Sequence, residues 1–235
     1  MRKVEFAPSL MCMDFLKIRE QLEILNELVD YYHVDLMDGH FCKNITLSPD
    51  MIRTFAEIAE KPMDVHLMTT NPTDWIEDVA KAGAAYISPH AETINTDAFR
   101  VLNMIESLGC KPGVVLNPAT SLSEIKHYLN RIEMLTIMTV DVGFAGQPFI
   151  PEMLDKIAEA KRLKEECGYK YKIQIDGSCN QRTYKSLYEA GGEVFIVGSS
   201  GLFGLSDDLR EAYERMQKIF ANEIGQQDGM SLNDK

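Results

Sequence analysis

Eight times along the chain, a short apolar run gives way to a stretch with helical periodicity. That alternation constrains the fold more than any other feature. The runs cover about residues 4–10, 31–37, 62–68, 86–90, 113–116, 134–140, 172–176 and 194–197. They are rich in Val, Ile, Tyr and Phe, residues that suit extended backbone. Helix signals follow them. Asp14 can cap a helix carrying Phe15, Ile18, Leu22, Leu25 and Leu28, and Ser48-Pro49 and Asn71-Pro72 each pair a cap with a first-turn proline. Further helices are expected from Thr96 or Asp97, from Ser121 with Glu124 as a capping box, over 153–167, over 181–190 and over 207–220. Strand and helix alternating without a linker or compositional break predict an α/β protein, a single (β/α)8 barrel over 1–222. A polar tail is expected over 223–235. An open doubly wound sheet competes, but it would place a glycine turn after the first strand, where Ser9-Leu10-Met11-Cys12-Met13-Asp14 has none.

Charge narrows the partners. With 24 Lys+Arg against 36 Asp+Glu, the net charge is −12, which argues against nucleic acid or an acidic membrane surface. No apolar run approaches the ~20 residues of a membrane span, and Met1-Arg2-Lys3-Val4-Glu5 lacks the apolar core of a signal peptide. Cys12, Cys42, Cys110, Cys167 and Cys179 follow no zinc or redox spacing and are expected to be reduced thiols of a cytoplasmic protein.

The chemistry concentrates at strand ends. In Tyr32-His33-Val34-Asp35-Leu36-Met37-Asp38-Gly39, alternate side chains share a face, so His33, Asp35 and Met37 point together before Asp38-Gly39 turns the chain. Asp64, His66 and Met68 share a face in the next run, and Asp176-Gly177 ends the seventh. Each segment alone reads more readily as a hydrogen-bonded core than as a metal site. Together they place two histidines and two carboxylates in apolar strands, which a core rarely accepts unless they neutralise one another or a divalent cation. Glycines gather late, in Gly143-Phe144-Ala145-Gly146, Gly177-Ser178 and Gly198-Ser199-Ser200-Gly201. In a barrel these three loops adjoin on the C-terminal face, where backbone amides can hold a phosphate. None contains Lys or Arg, although Arg182 lies just beyond the second, so amide dipoles would form most of that grip.

The ordered motifs HVDLMDGHF, DVHLM, GFAGQPFIP, QIDGS and VGSSGLF resemble the ribulose-phosphate 3-epimerases over about residues 4–220. PHAETIN at 89–95, the 176–180 loop and GSSGLF look most like the D-allulose-6-phosphate 3-epimerase branch. The resemblance implies a ribulose-phosphate-binding barrel with one divalent transition metal per chain (Zn, Mn, Co or Fe(II)), held by His33, Asp35, His66 and Asp176. It makes Asp35 and Asp176 the acid/base pair. Ser9, His66, Met37, Met68 and Met138 would contact a sugar-phosphate substrate, with Gly143, Phe144, Ala145, Gly146, Gly177, Ser178, Gly198 and Ser199 around its phosphate end. The implied reaction interconverts D-allulose 6-phosphate and D-fructose 6-phosphate, the alternative substrate being D-ribulose 5-phosphate. Val142 stands where the family usually has proline, Ser178 where glycine is common, and Gly201-Leu202 where an apolar residue is more usual. Ser178 and Gly201 are both compatible with a longer substrate.

Two other readings keep the barrel. An aldolase or decarboxylase would favour a lysine at the catalytic strand ends, yet Lys172 begins its strand. A non-catalytic sugar-phosphate sensor would not need both Asp35 and Asp176 beside a metal. A homo-oligomer is compatible with all of these motifs.

Overall fold

The structure is a computed structural model that describes residues 3–225. Eight strands, Glu5–Pro8 (β1), Tyr32–Met37 (β2), Met63–Met68 (β3), Tyr86–Pro89 (β4), Lys111–Leu116 (β5), Met134–Met138 (β6), Lys172–Asp176 (β7) and Val194–Val197 (β8), form one parallel sheet. The order is β1-β8-β7-β6-β5-β4-β3-β2. Between β1 and β2 the ring is completed by a Ser9–His33 bridge and by the Asp30 and Tyr31 N–H groups, which donate to the Phe6 carbonyl. The result is a nearly closed (β/α)8 barrel, as the alternation predicts.

Strand parity sorts the core. Phe6, Val34, Leu36, Val65, Leu67, Ile137, Ile175 and Phe195 face outward into the main cluster shared with the helices. Among the residues facing inward, Ala7, Tyr31, Tyr86, Met134 and Val194 pack together in the lower part of the barrel, and Ile196 caps them beneath the cavity described below. Polar side chains of the same parity lie further along, toward the C-terminal ends of the strands.

The helices are Ile18–Asn26 (α1), Pro49–Ala56 (α2), Ile76–Lys81 (α3), Ala91–Ile94 (α4), Ala98–Ser107 (α5), Met153–Cys167 (α6), Tyr184–Ala190 (α7) and Leu209–Glu223 (α8). Some start signals act as expected. Ser48 accepts from the Met51 N–H with Pro49 in the first turn, while Asp14 accepts from the Leu16 N–H and caps a 3-10 turn just ahead of α1. The helix expected after β5 is absent. Two 3-10 turns, Leu122–Ile125 and Leu129–Arg131, take its place, and Ser121 makes no side-chain cap because its hydroxyl bonds Ser123. Leu122, Ile125 and Leu129 are buried regardless, so the apolar spacing was satisfied without an α-helix. The extra helix is α4, directly after β4. The expected polar tail lies, beyond residue 225, outside the described residues. No helix among the described residues is long and apolar enough to cross a membrane.

Candidate metal and substrate site

β2 and β3 pair in register, with His33 beside Asp64 and Asp35 beside His66. This pairing brings both histidines and both acids into one inward-facing patch, as strand parity alone cannot. Asp176, at the end of β7, reaches it from elsewhere on the ring. His33 Nε2 lies 3.3 Å from Asp35 Oδ1 and 3.8 Å from Asp176 Oδ2. His66 Nδ1 lies 3.5 and 3.4 Å from the same two oxygens. The four ligand atoms fall within 4.8 Å of one another.

Both of those ring nitrogens are buried and make no hydrogen bond. An unsatisfied buried polar atom is costly, by about 1–3 kcal/mol, and here two of them converge with two carboxylate oxygens. Two imidazole nitrogens and two carboxylates form a donor set that fits a divalent cation. The atoms behind them are fully occupied. His33 Nδ1 donates to Asp64 Oδ2 at 3.1 Å, and Asp64 Oδ1 accepts from the Ser88 hydroxyl at 2.7 Å. Gly113 makes the Ser88 position possible, since a Cβ there would run into the Ser88 Oγ. Asp35 Oδ2 accepts from the Ser9 hydroxyl at 2.6 Å.

Electrostatics follow from this packing. Burial alone would raise the Asp35 carboxyl pKa, but the His33 and His66 imidazoles pull it well below the usual carboxylate range. Burial likewise opposes charge on His33 and His66, yet facing carboxylates lift both above the ordinary imidazole value. The facing carboxylates thus favour positive charge among them, whether as protons on the rings or as a cation. A divalent ion would supply that charge with both rings neutral and each offering a lone pair.

A cavity opens beside the cluster. Asp35 and Asp176 line it with Met37, Met68 and Met138, and the loops of 143–147, 177–179 and 198–200 close its other side. Of the residues singled out in the sequence for substrate contact, all but His66 line this cavity, and His66 lies behind Asp35 and Asp176. No Lys or Arg is among the lining residues. Val142, unusual at its position, packs with Met37, Cys42 and Met68 and with Met138 and Val140, so the loop is anchored without proline. Asp38 ties the turn after β2 in place by accepting from the N–H groups of His40, Phe41 and Thr70.

Two sequence inferences change. Ser178 has a left-handed backbone (φ 49°) and donates its hydroxyl to the Gln147 carbonyl at 2.8 Å, fastening one cavity loop to another. Gly201 does not line the cavity. A Cβ there would collide with the Cys179 carbonyl and approach the Tyr184 hydroxyl, so glycine is required by packing behind the loops. Lys172, the candidate lysine of the aldolase alternative, lies at the other end of the barrel against Glu5 and Tyr31. Sequence reasoning set Asp64 on the same face as His66 but did not see it behind His33, and it missed Ser88, His90 and Glu92 as supporting residues. The only signal for them was inward parity on β3 and β4, plus the Pro89-His90-Ala91-Glu92 junction.

Residues 5–203 match the family model described as the ribulose-phosphate 3 epimerase family. The ribulose-phosphate 3-epimerase of Bacillus subtilis is 38% identical over 206 residues, covering 87% of this chain and 94% of that one. The ribulose-phosphate 3-epimerase of Methanocaldococcus jannaschii is 37% identical over 216 residues, 92% of this chain and 90% of its own. Among solved structures, the 3-hexulose-6-phosphate synthase of Salmonella typhimurium superposes with a TM-score of 0.65 at 15% identity. That match covers 94% of this chain and 100% of the other, and it speaks to the barrel alone.

Proposed function

Because the chain belongs to the ribulose-phosphate 3-epimerase family, we propose that it inverts carbon 3 of a ketose phosphate. The observation that carries this reading is the convergence of Asp35 and Asp176 from different strands on one cavity, beside two unsatisfied imidazole nitrogens. Epimerisation beside a carbonyl needs a base to remove the carbon-bound proton and an acid to return one to the opposite face. Asp35, held anionic and oriented by Ser9, serves as one partner. Asp176, more open to the cavity, serves as the other, and the two exchange roles in the reverse direction. The enediolate between the two transfers is planar, and Met37, Met68 and Met138, which line the cavity, have no proton to offer it.

His33, Asp35, His66 and Asp176 would hold one divalent ion, with Zn, Mn, Co or Fe(II) preferred over Mg for this nitrogen-rich set. When bound, such an ion supplies Lewis-acid stabilisation of the negative charge that builds on the substrate oxygens. Gly146, Gly177, Ser178, Gly198 and Ser199 line the same cavity, and their backbone amides would hold the phosphate.

For the substrate, the names of the relatives support D-ribulose 5-phosphate, whose carbon-3 epimer is D-xylulose 5-phosphate. The hexulose D-allulose 6-phosphate is the second reading, and its support is the sequence of 89–95, 176–180 and 198–203. Ser178 and Gly201 no longer add to it, since both have structural duties. The test measures kcat/KM for both substrates while following exchange of the carbon-3 proton with solvent deuterium. Exchange and epimerisation on at least one substrate are expected. A one-carbon mismatch should separate the two by about 10- to 200-fold. Binding of both without exchange at carbon 3 would reject the epimerase and leave a sugar-phosphate sensor.

A further inference from the structure

His66 has a second line of contacts that leads away from the cavity. Its Nε2 lies 2.8 Å from Nε2 of His90, and His90 Nδ1 lies 3.2 Å from Glu92 Oε2. The other Glu92 oxygen accepts from the Asn117 N–H at 3.0 Å and from the Thr120 hydroxyl. His90 is fully buried, and the Phe41 ring packs on it with centroids 4.5 Å apart.

Proton inventory fixes the direction of this chain. A carboxylate has no proton to give, so the proton between His90 and Glu92 sits on His90 Nδ1. A neutral His90 then has only a lone pair at Nε2, so the proton between the two rings sits on His66 Nε2. His66 Nδ1 is left with its lone pair, and that is the atom facing Asp35 and Asp176 without a hydrogen-bond partner. We propose that Glu92 and His90 are positioning residues, a relay that fixes His66 in the tautomer able to bind a divalent cation through Nδ1. The geometry at His33 is the one-step version, in which Asp64 takes the Nδ1 proton directly and leaves Nε2 for the cation. The two histidines thus present opposite ring nitrogens, and each is backed by a carboxylate. Reversing the chain would aim a His66 Nδ1–H at the two acids, leaving that histidine nothing to coordinate with.

The relay rests on the cation reading of the four-residue cluster, and its test separates the two. In zinc-loaded protein, imidazole ¹⁵N spectra should show His66 protonated at Nε2 and His90 at Nδ1. Glu92→Gln can donate as well as accept, which releases the lock. It should weaken zinc affinity, measured by chelator competition, by about 10- to 100-fold. His90→Gln offers His66 an amide oxygen that does not depend on Glu92, so adding Glu92→Gln to it should cost no further affinity. A folded Glu92→Gln protein with wild-type zinc affinity overturns the relay. So does either wild-type ring found in the opposite tautomer, a result that stands even if the variant does not fold. A wild-type protein that takes up no zinc overturns the cation reading itself.

Discussion

The two ends of the barrel have dealt with charge in opposite ways. At the N-terminal end, Lys172 Nζ lies 2.5 Å from Glu5 Oε2 and 2.6 Å from the Tyr31 hydroxyl. Lys111 reaches the Tyr86 hydroxyl at 3.2 Å, and the two tyrosine rings meet edge-on. Each of these cations has a partner. At the C-terminal end, His33 Nε2 and His66 Nδ1 are buried without one. Both ends are built from the same strands with the same parity, so the contrast comes from side-chain choice. One end is closed by ion pairs and hydrogen bonds; at the other, two buried ring nitrogens converge on two carboxylates without a hydrogen bond.

The sharpest way to break this contrast is to remove an acid at the open end. Asp176→Asn keeps size and hydrogen bonding but cannot shuttle a proton. Turnover should fall by about 10³-fold or more, given the usual 10²–10⁴ worth of general acid–base catalysis and the added loss of a ligand. Melting temperature should stay near wild type or rise, because a crowded carboxylate has been neutralised. Near-normal turnover in metal-loaded Asp176→Asn would place the proton transfer elsewhere.

A smaller effect concerns His90, which backs the open end. Burial above all draws its imidazole down to about 4, against the pull of Glu92. Unfolded, it would take up a proton near pH 6.5. Between about pH 6.5 and 4 the unfolded chain therefore binds the extra proton, and stability must fall as pH falls through that window. The total is on the order of 3 kcal/mol. Urea unfolding of metal-stripped protein across this range should show a slope that His90→Gln reduces. Parallel curves for the two proteins would remove His90 as the cause.

The smallest effect belongs to the closed end. Lys172→Met should cost about 1–2 kcal/mol, the worth of a charge-assisted hydrogen bond reduced for a side chain that is partly in water. kcat should not change. A turnover defect in this variant would mean that the two ends are coupled and that the contrast is only apparent.

Much of this was legible in the chain because strand parity is a rigid rule. His33 with Asp35, and His66 with Asp64, had to share a face if the runs were strands. The eight strands lie within a few residues of their expected places, with β4 ending on Pro89 itself. What could not be read was pairing across the ring. Asp64 was visible as an inward residue, but its role depends on lying beside His33 in the β2–β3 register. His90 and Glu92 sit at a strand–helix junction, and their partners come from β3 and from the loop after β5. The Ser121–Glu124 pattern misled because a local cap signal is weak against the packing of Leu122, Ile125 and Leu129. Gly201 misled differently: an absent side chain suggests space for a ligand, whereas here the Cys179 carbonyl fills that space.

The lack of lysine and arginine around the cavity has a kinetic side. A sugar phosphate is close to a dianion, and it approaches a chain whose net charge is −12. On the proposed reading its capture would depend on short-range amide dipoles felt only after arrival, while the long-range field works against the encounter. Added salt, which slows the charge-steered capture seen in many phosphate-binding proteins, would here quicken association. Such an enzyme gains nothing from dilute buffer and meets its substrate fastest where ions are plentiful.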